Sequence, residues 1–190
     1  MARTRRVARC ALAAIGMLIA TAQSADAQAA ILARAVVLTP AVTGAGVRPV
    51  EFGTVTPGTP TSHTITTAAD STATGVALLN FTGVTGNRAA QLVFTWADLV
   101  NTASGMTIPL SLNGSYGMHC FDRKTTTPIC TFFNPGSGGG TTGTIVATPP
   151  APPGGNTGTL RVYLGGSLNP SANLAPGLYT ATISVTLTRL

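Results

Sequence analysis

From Tyr179 to Arg189 the chain alternates without a break. Tyr179, Ala181, Ile183, Val185 and Leu187 fall on one face, and Thr180, Thr182, Ser184, Thr186 and Thr188 on the other. That period of two is the pattern of a half-buried strand. At about 3.3 Å per residue the run reaches roughly 36 Å, about twice a usual strand. A strand of that length needs a neighbour on each edge, because an unpaired edge offers its backbone donors and acceptors to any other chain. The sequence stops one residue later, at Leu190. This end is therefore expected to carry an interaction surface on an all-β fold.

The segments before it read the same way. Strand-like runs recur at Ile31 to Leu38, Val47 to Val55, His63 to Thr67, Val76 to Thr82, Gln91 to Trp96, Met106 to Leu112, Tyr116 to Phe121 and Ile129 to Phe133. Pro40, Gly44, Gly46, Pro57-Gly58, Gly83, Gly86-Asn87 and Asn113-Gly114 punctuate them, since Gly and Asn accept positive φ and Pro cannot donate to a ladder. Short strands at such spacing suit an antiparallel sandwich or barrel. Residues 134–158 turn to Gly, Pro and Thr and read as a long exposed loop, with at most a short strand at Thr144 to Ala147. Thr159 to Gly166 resumes strand character, and sequence adjacency predicts that it lies near the terminal strand.

Arg3, Arg5, Arg6 and Arg9 precede an apolar run from Ala11 to about Ala22, followed by the small residues Ala25-Asp-Ala27. This is the pattern of a secretory signal peptide over residues 1–27, cleaved before Gln28. The apolar run is about a dozen residues where a membrane span needs about 20, so no transmembrane helix is expected to be retained. One domain, 28–190, remains, and the protein is expected to pass through the periplasm to the cell surface or medium. Cleavage removes four of the eleven bases and one of the five acids, which takes the net charge from +6 to +3. The remaining bases are scattered, so nucleic acid is not an expected partner.

Of the three cysteines, Cys120 and Cys130 lie in the mature chain, and an even pair in an exported domain reads as a disulfide. A metal site from His119, Cys120 and Cys130 is the competing reading, but it lacks a fourth ligand and the paired C-x-x-C spacing. The titratable residues are few: His63, His119, Glu51, Asp70, Asp98 and Asp122 sit in different segments. No nucleophile elbow, zinc-protease helix or calcium loop is present. Neither catalysis nor a cofactor is expected. Trp96 reads as a core residue, with stacking on a sugar as the sharper alternative.

Three motifs in this order, Pro49-Val-Glu-Phe-Gly-Thr-Val-Thr-Pro-Gly58, Leu164-Gly-Gly-Ser-Leu168 and Pro176-Gly-Leu-Tyr-Thr-Ala-Thr-Ile-Ser-Val-Thr-Leu187, give the mature chain a resemblance. It resembles spore coat protein U and the related pilin-like secreted proteins of Gram-negative bacteria built by archaic chaperone-usher systems. The resemblance implies an incomplete immunoglobulin-like antiparallel sandwich, completed by a donor strand and assembled by a periplasmic chaperone and an outer-membrane usher into polymers of like or related subunits. It implies that Tyr179, Ile183, Val185 and Leu187 border the groove that receives the donor. A donor at the mature N-terminus would present Ala29, Ile31, Ala33, Ala35 and Val37. Leu32, Val36 and Leu38 make the other face apolar as well, which suits a strand buried in its own domain. Both readings of that segment stand at this stage.

The expected function is thus a structural subunit of a fibre or coat. The alternatives are a secreted adhesive or glycan-binding module and a self-complete envelope sandwich that does not polymerise.

Overall fold

A computed structural model describes residues 31–38, 44–122, 128–149 and 157–190. Residues 1–27, expected to be a signal peptide, Ala29 and the Pro-rich residues 150–156 lie outside the described residues.

Along the chain the strands are β1 (Ile31–Leu38), β2 (Gly44–Arg48), β3 (Val50–Val55), β4 (Thr61–His63) and β5 (Ala77–Thr85). There follow β6 (Ala90–Trp96), β7 (Leu99–Val100), β8 (Thr107–Ile108), β9 (Leu110–Ser111) and β10 (Gly117–Asp122). The last are β11 (Ile129–Phe133), β12 (Thr142–Ala147), β13 (Thr157–Leu164), β14 (Gly166–Leu168) and β15 (Gly177–Arg189). A short 3₁₀ turn, Ala68–Thr72, is the one helical element among the described residues.

The fold is an all-β sandwich. Sheet A runs β12-β6-β15-β1-β3, with β7 joined to β15 and β8 to β7, and sheet B runs β11-β10-β13-β5-β2. A small third sheet orders β4-β14-β9. The inward residues of both large sheets form one core. Phe52, Leu92, Phe94, Ile183 and Val185 from sheet A meet Leu79, Phe81, Phe121, Leu160 and Val162 from sheet B. A second, smaller cluster lies on the other face of sheet B, where Met118, Cys120 and Tyr163 are covered by Ile65 and Val76 from the segment around the 3₁₀ turn.

Two prolines divide runs that the sequence pattern joins. The run Val47 to Val55 is split at Pro49: Arg48 pairs with Leu78 in sheet B, while Val50 pairs with Ala35 in sheet A. Lacking an N–H, Pro49 marks the place where the chain crosses from one sheet to the other. Likewise Met106 to Leu112 is split at Pro109, with Ile108 on β7 and Leu110 on β14.

Two further expectations are refined. The 134–158 segment carries a strand where one was expected, but it is longer than Thr144 to Ala147. This is the six-residue β12, paired with β6 from Thr142↔Thr95 to Ala147↔Ala90, and β13 already begins at Thr157. Pro135 packs its carbonyl against Gly143, so the glycine that weakens the strand signal is what lets the preceding loop lie on the strand. The strand from Thr159 and the terminal strand lie near each other, as expected, but in different sheets facing one core. β13 lies between β10 and β5 in sheet B, and it meets β15 only across the core.

Candidate strand-exchange groove

β15 is built as its alternation requires. Tyr179, Ile183, Val185 and Leu187 point into the core and are buried, Ala181 is half-buried against it, and Leu178, Thr182 and Thr188 are exposed. The Tyr179 hydroxyl donates to Ala175 O at 2.8 Å, which satisfies the polar end of a fully buried ring. At the entry to the strand, Gly177 has φ of 142°. A Cβ there would lie 2.5 Å from Asn101 Nδ2. Asn101, the one buried polar side chain among the described residues, donates to Pro176 O and accepts from the N–H groups of Ala103 and Ser104. Gly177 thus allows a buried amide to anchor the turn into β15.

On one edge β15 pairs antiparallel with β6, from Ile183↔Trp96 to Arg189↔Ala90, and with β7 at Thr180↔Val100. On the other edge lies the chain's own first described strand. β1 runs parallel to β15, from Ile31↔Gly177 to Leu38↔Ser184, and antiparallel to β3 on its far side. It is the one parallel pairing among the described residues, and it joins the first described strand to the last. The expectation that the terminal strand borders an unfilled slot is therefore corrected over Gly177–Ser184, where residues 31–38 take that place.

The register sets Ile31, Ala33, Ala35 and Val37 beside Gly177, Tyr179, Ala181 and Ile183. Ala33 is fully buried in the core, with Tyr179 as its register partner on one side and Gly53 on the other. The ladder to β3 shifts at this point: Ala33 opposes Gly53 and Arg34 opposes Glu51, leaving Phe52 as the extra residue of a bulge. Gly53 adopts φ of 65°, as a bulge of this kind requires. Phe52 is 5% exposed in the main core. The Phe52-Gly53 pair of the first motif thus forms the far wall of the slot and shapes it around a small residue. The register makes Arg34, the one charged residue of β1, the backbone partner of Glu51, the one acidic residue of β3.

Beyond Ser184 the inward residues Val185 and Leu187 have β6 on one edge, and no strand pairs with their other edge among the described residues. The four groove residues read from sequence therefore divide. Tyr179 and Ile183 face positions held by β1, while Val185 and Leu187 lie past its end.

Cys120 and Cys130 form a disulfide across β10 and β11, which takes both sulfurs out of any metal site. Among the described residues no three of His, Cys, Asp and Glu gather closely enough to hold a metal ion, and no helix is long and apolar enough to cross a membrane. Trp96 is 6% exposed and its indole N–H donates to Leu110 O at 3.0 Å, so it is a core residue without a ring face for a sugar. The parallel insertion of β1 is what sequence reasoning missed. The matching two-sided apolarity of residues 31–38 is its only signal, and it does not specify a partner strand. No protein-family model and no curated protein matches the chain.

Proposed function

We propose that the protein is a structural subunit of an extracellular fibre or coat, delivered by a periplasmic chaperone and an outer-membrane usher and joined to its neighbours by β-strand addition. One observation carries the reading: the strand that completes sheet A between β15 and β3 is the first described element of the chain. Such a strand can leave and be replaced by the same strand of another copy without any loop being threaded. Backbone ladders on both sides supply affinity, and the small Ala33 position beside Tyr179 supplies register. The disulfide agrees with an exported domain, because such bonds persist in oxidising compartments.

The same placement favours a second reading, a self-complete envelope sandwich whose own β1 stays in its slot. Deleting residues 28–38 separates the two. The subunit reading expects the truncated chain to fold when given a peptide of residues 28–38, and full-length chains to form polymers that this peptide disperses. The self-complete reading expects monomers at every concentration.

A further inference from the structure

Besides β3, the strand orders of the two large sheets end at β12, β2 and β11, and these three edges are treated differently. At β12 the loop from Pro135 folds over the strand: the Ser137 hydroxyl donates to Thr144 O at 3.3 Å, and Gly138 sits so close that a Cβ would lie 3.2 Å from Thr142 O. At β2 the ladder to β5 shifts between Gly46 and Arg48, and the Arg48 guanidinium is bound to the carbonyls of Val76 and Ser71. Such shifts and covers keep edges from pairing with other chains. Among the described residues β11, the other edge of sheet B, has neither. Its ladder to β10 is regular, and Ile129-Cys-Thr-Phe-Phe133 contains no charge and no proline. Ile129 and Phe132 are 45% and 47% exposed.

The main chain of β11 is also aimed outward. Cys120 and Cys130 are direct cross-strand partners with Cα atoms 4.1 Å apart. That spacing belongs to the narrow pair of an antiparallel ladder, in which the N–H and C=O of both residues point away from each other. The Cys130 groups therefore face the free edge, and by alternation so do those of Phe132. Among the described residues neither is bonded elsewhere.

We propose that β11 is a strand-addition edge for a second copy of this chain, pairing antiparallel with its own counterpart about a two-fold axis at Thr131. In that register Cys130 of each copy faces Phe132 of the other, so every outward N–H and C=O finds a partner. Thr131 meets Thr131 of the second copy, and Ile129 meets Phe133 of the second copy, a β-branched and aromatic pairing that sheets favour. The uncharged segment sets no like charges against each other across the axis. The contact lies on sheet B, away from β1 and β15, and does not depend on strand exchange there. It joins subunits side by side.

The test uses the mature chain and two variants. In Thr131→Cys the two introduced Cα atoms would stand about 4.5 Å apart, within reach of a disulfide. A covalent dimer joined through position 131, with the Cys120–Cys130 bridge retained, is expected. Thr142→Cys on the covered β12 edge should give none. If Thr131→Cys scrambles its disulfides, amide exchange in the unmodified chain decides. The Cys130 and Phe132 amides should slow by at least about tenfold between dilute and concentrated protein, and Thr131→Lys should remove that change. Absence of the 131-to-131 crosslink together with concentration-independent exchange overturns the proposal, as does a dimer whose protected amides lie elsewhere.

Discussion

Ala33 stands directly beside Tyr179 in the parallel ladder between the first and last described strands, and it is fully buried there. Two constraints meet at this position. The Tyr179 ring is fixed by its bond to Ala175 O, and the opposite wall is Gly53 at φ of 65°. A small residue is what the slot accepts.

Ala33→Phe should therefore expel β1 while leaving the two sheets intact, since overpacking a filled core costs about 1–3 kcal/mol. Thermal unfolding and amide protection across residues 31–38 check this. A stabilised protein with β1 amides still protected would show that Ala33 does not gate the slot.

The register also sets Arg34 opposite Glu51. Opposite charges facing each other across a ladder contribute about 0.2–1 kcal/mol, and like charges oppose pairing. Glu51→Arg should weaken the binding of a peptide of residues 28–38 to a chain lacking them, and Arg34→Glu in the peptide should restore it. Calorimetric titration of the four combinations measures that coupling.

The Cys120–Cys130 bridge closes a sequence separation of 10 residues. On the chain-entropy estimate, replacing both with Ala should cost about 2.8 kcal/mol. Urea unfolding under oxidising conditions reads the difference, and reduction of the native protein should reproduce it.

His119 is partly buried, 5.8 Å from the Phe133 ring, and burial holds its pKa below the ordinary 6.5. Between the lowered value in the folded state and the ordinary one in the unfolded state, the unfolded chain binds more protons. The stability associated with a neutral His119 is thus complete above pH 6.5 and declines as the pH falls through the folded value. His119→Gln should flatten this acid limb of the stability profile, as measured by urea midpoints across the range.

Much of this architecture was legible in the chain, and what was not has identifiable physical reasons. Residues 31–38 and the terminal alternation stand out because period-two patterns survive wherever one face is buried. The start of β12 was obscured because Thr142 and Gly143 bring no apolar side chain and Gly143 has little strand preference, so pairing with β6 and the loop at Pro135 draw them in. The splits at Pro49 and Pro109 were marked in the sequence, but the sheet each half joins is decided by long-range packing. The parallel partnership of β1 with β15 is of that kind too. Apolarity on both faces of residues 31–38 signals a central strand and leaves its neighbours and direction open. The disulfide followed from cysteine count and the expected compartment, whereas its position on the edge strand of sheet B needed the β10–β11 register.

The most direct measurement is the mass of full-length chains under native, non-reducing, unboiled conditions, with and without an excess of the peptide spanning residues 28–38. The strand-addition account expects a ladder of polymers that collapses to peptide-bound monomers. A single monomer peak in both samples, from which labelled peptide is absent, would contradict it and leave a sandwich that keeps its own first strand.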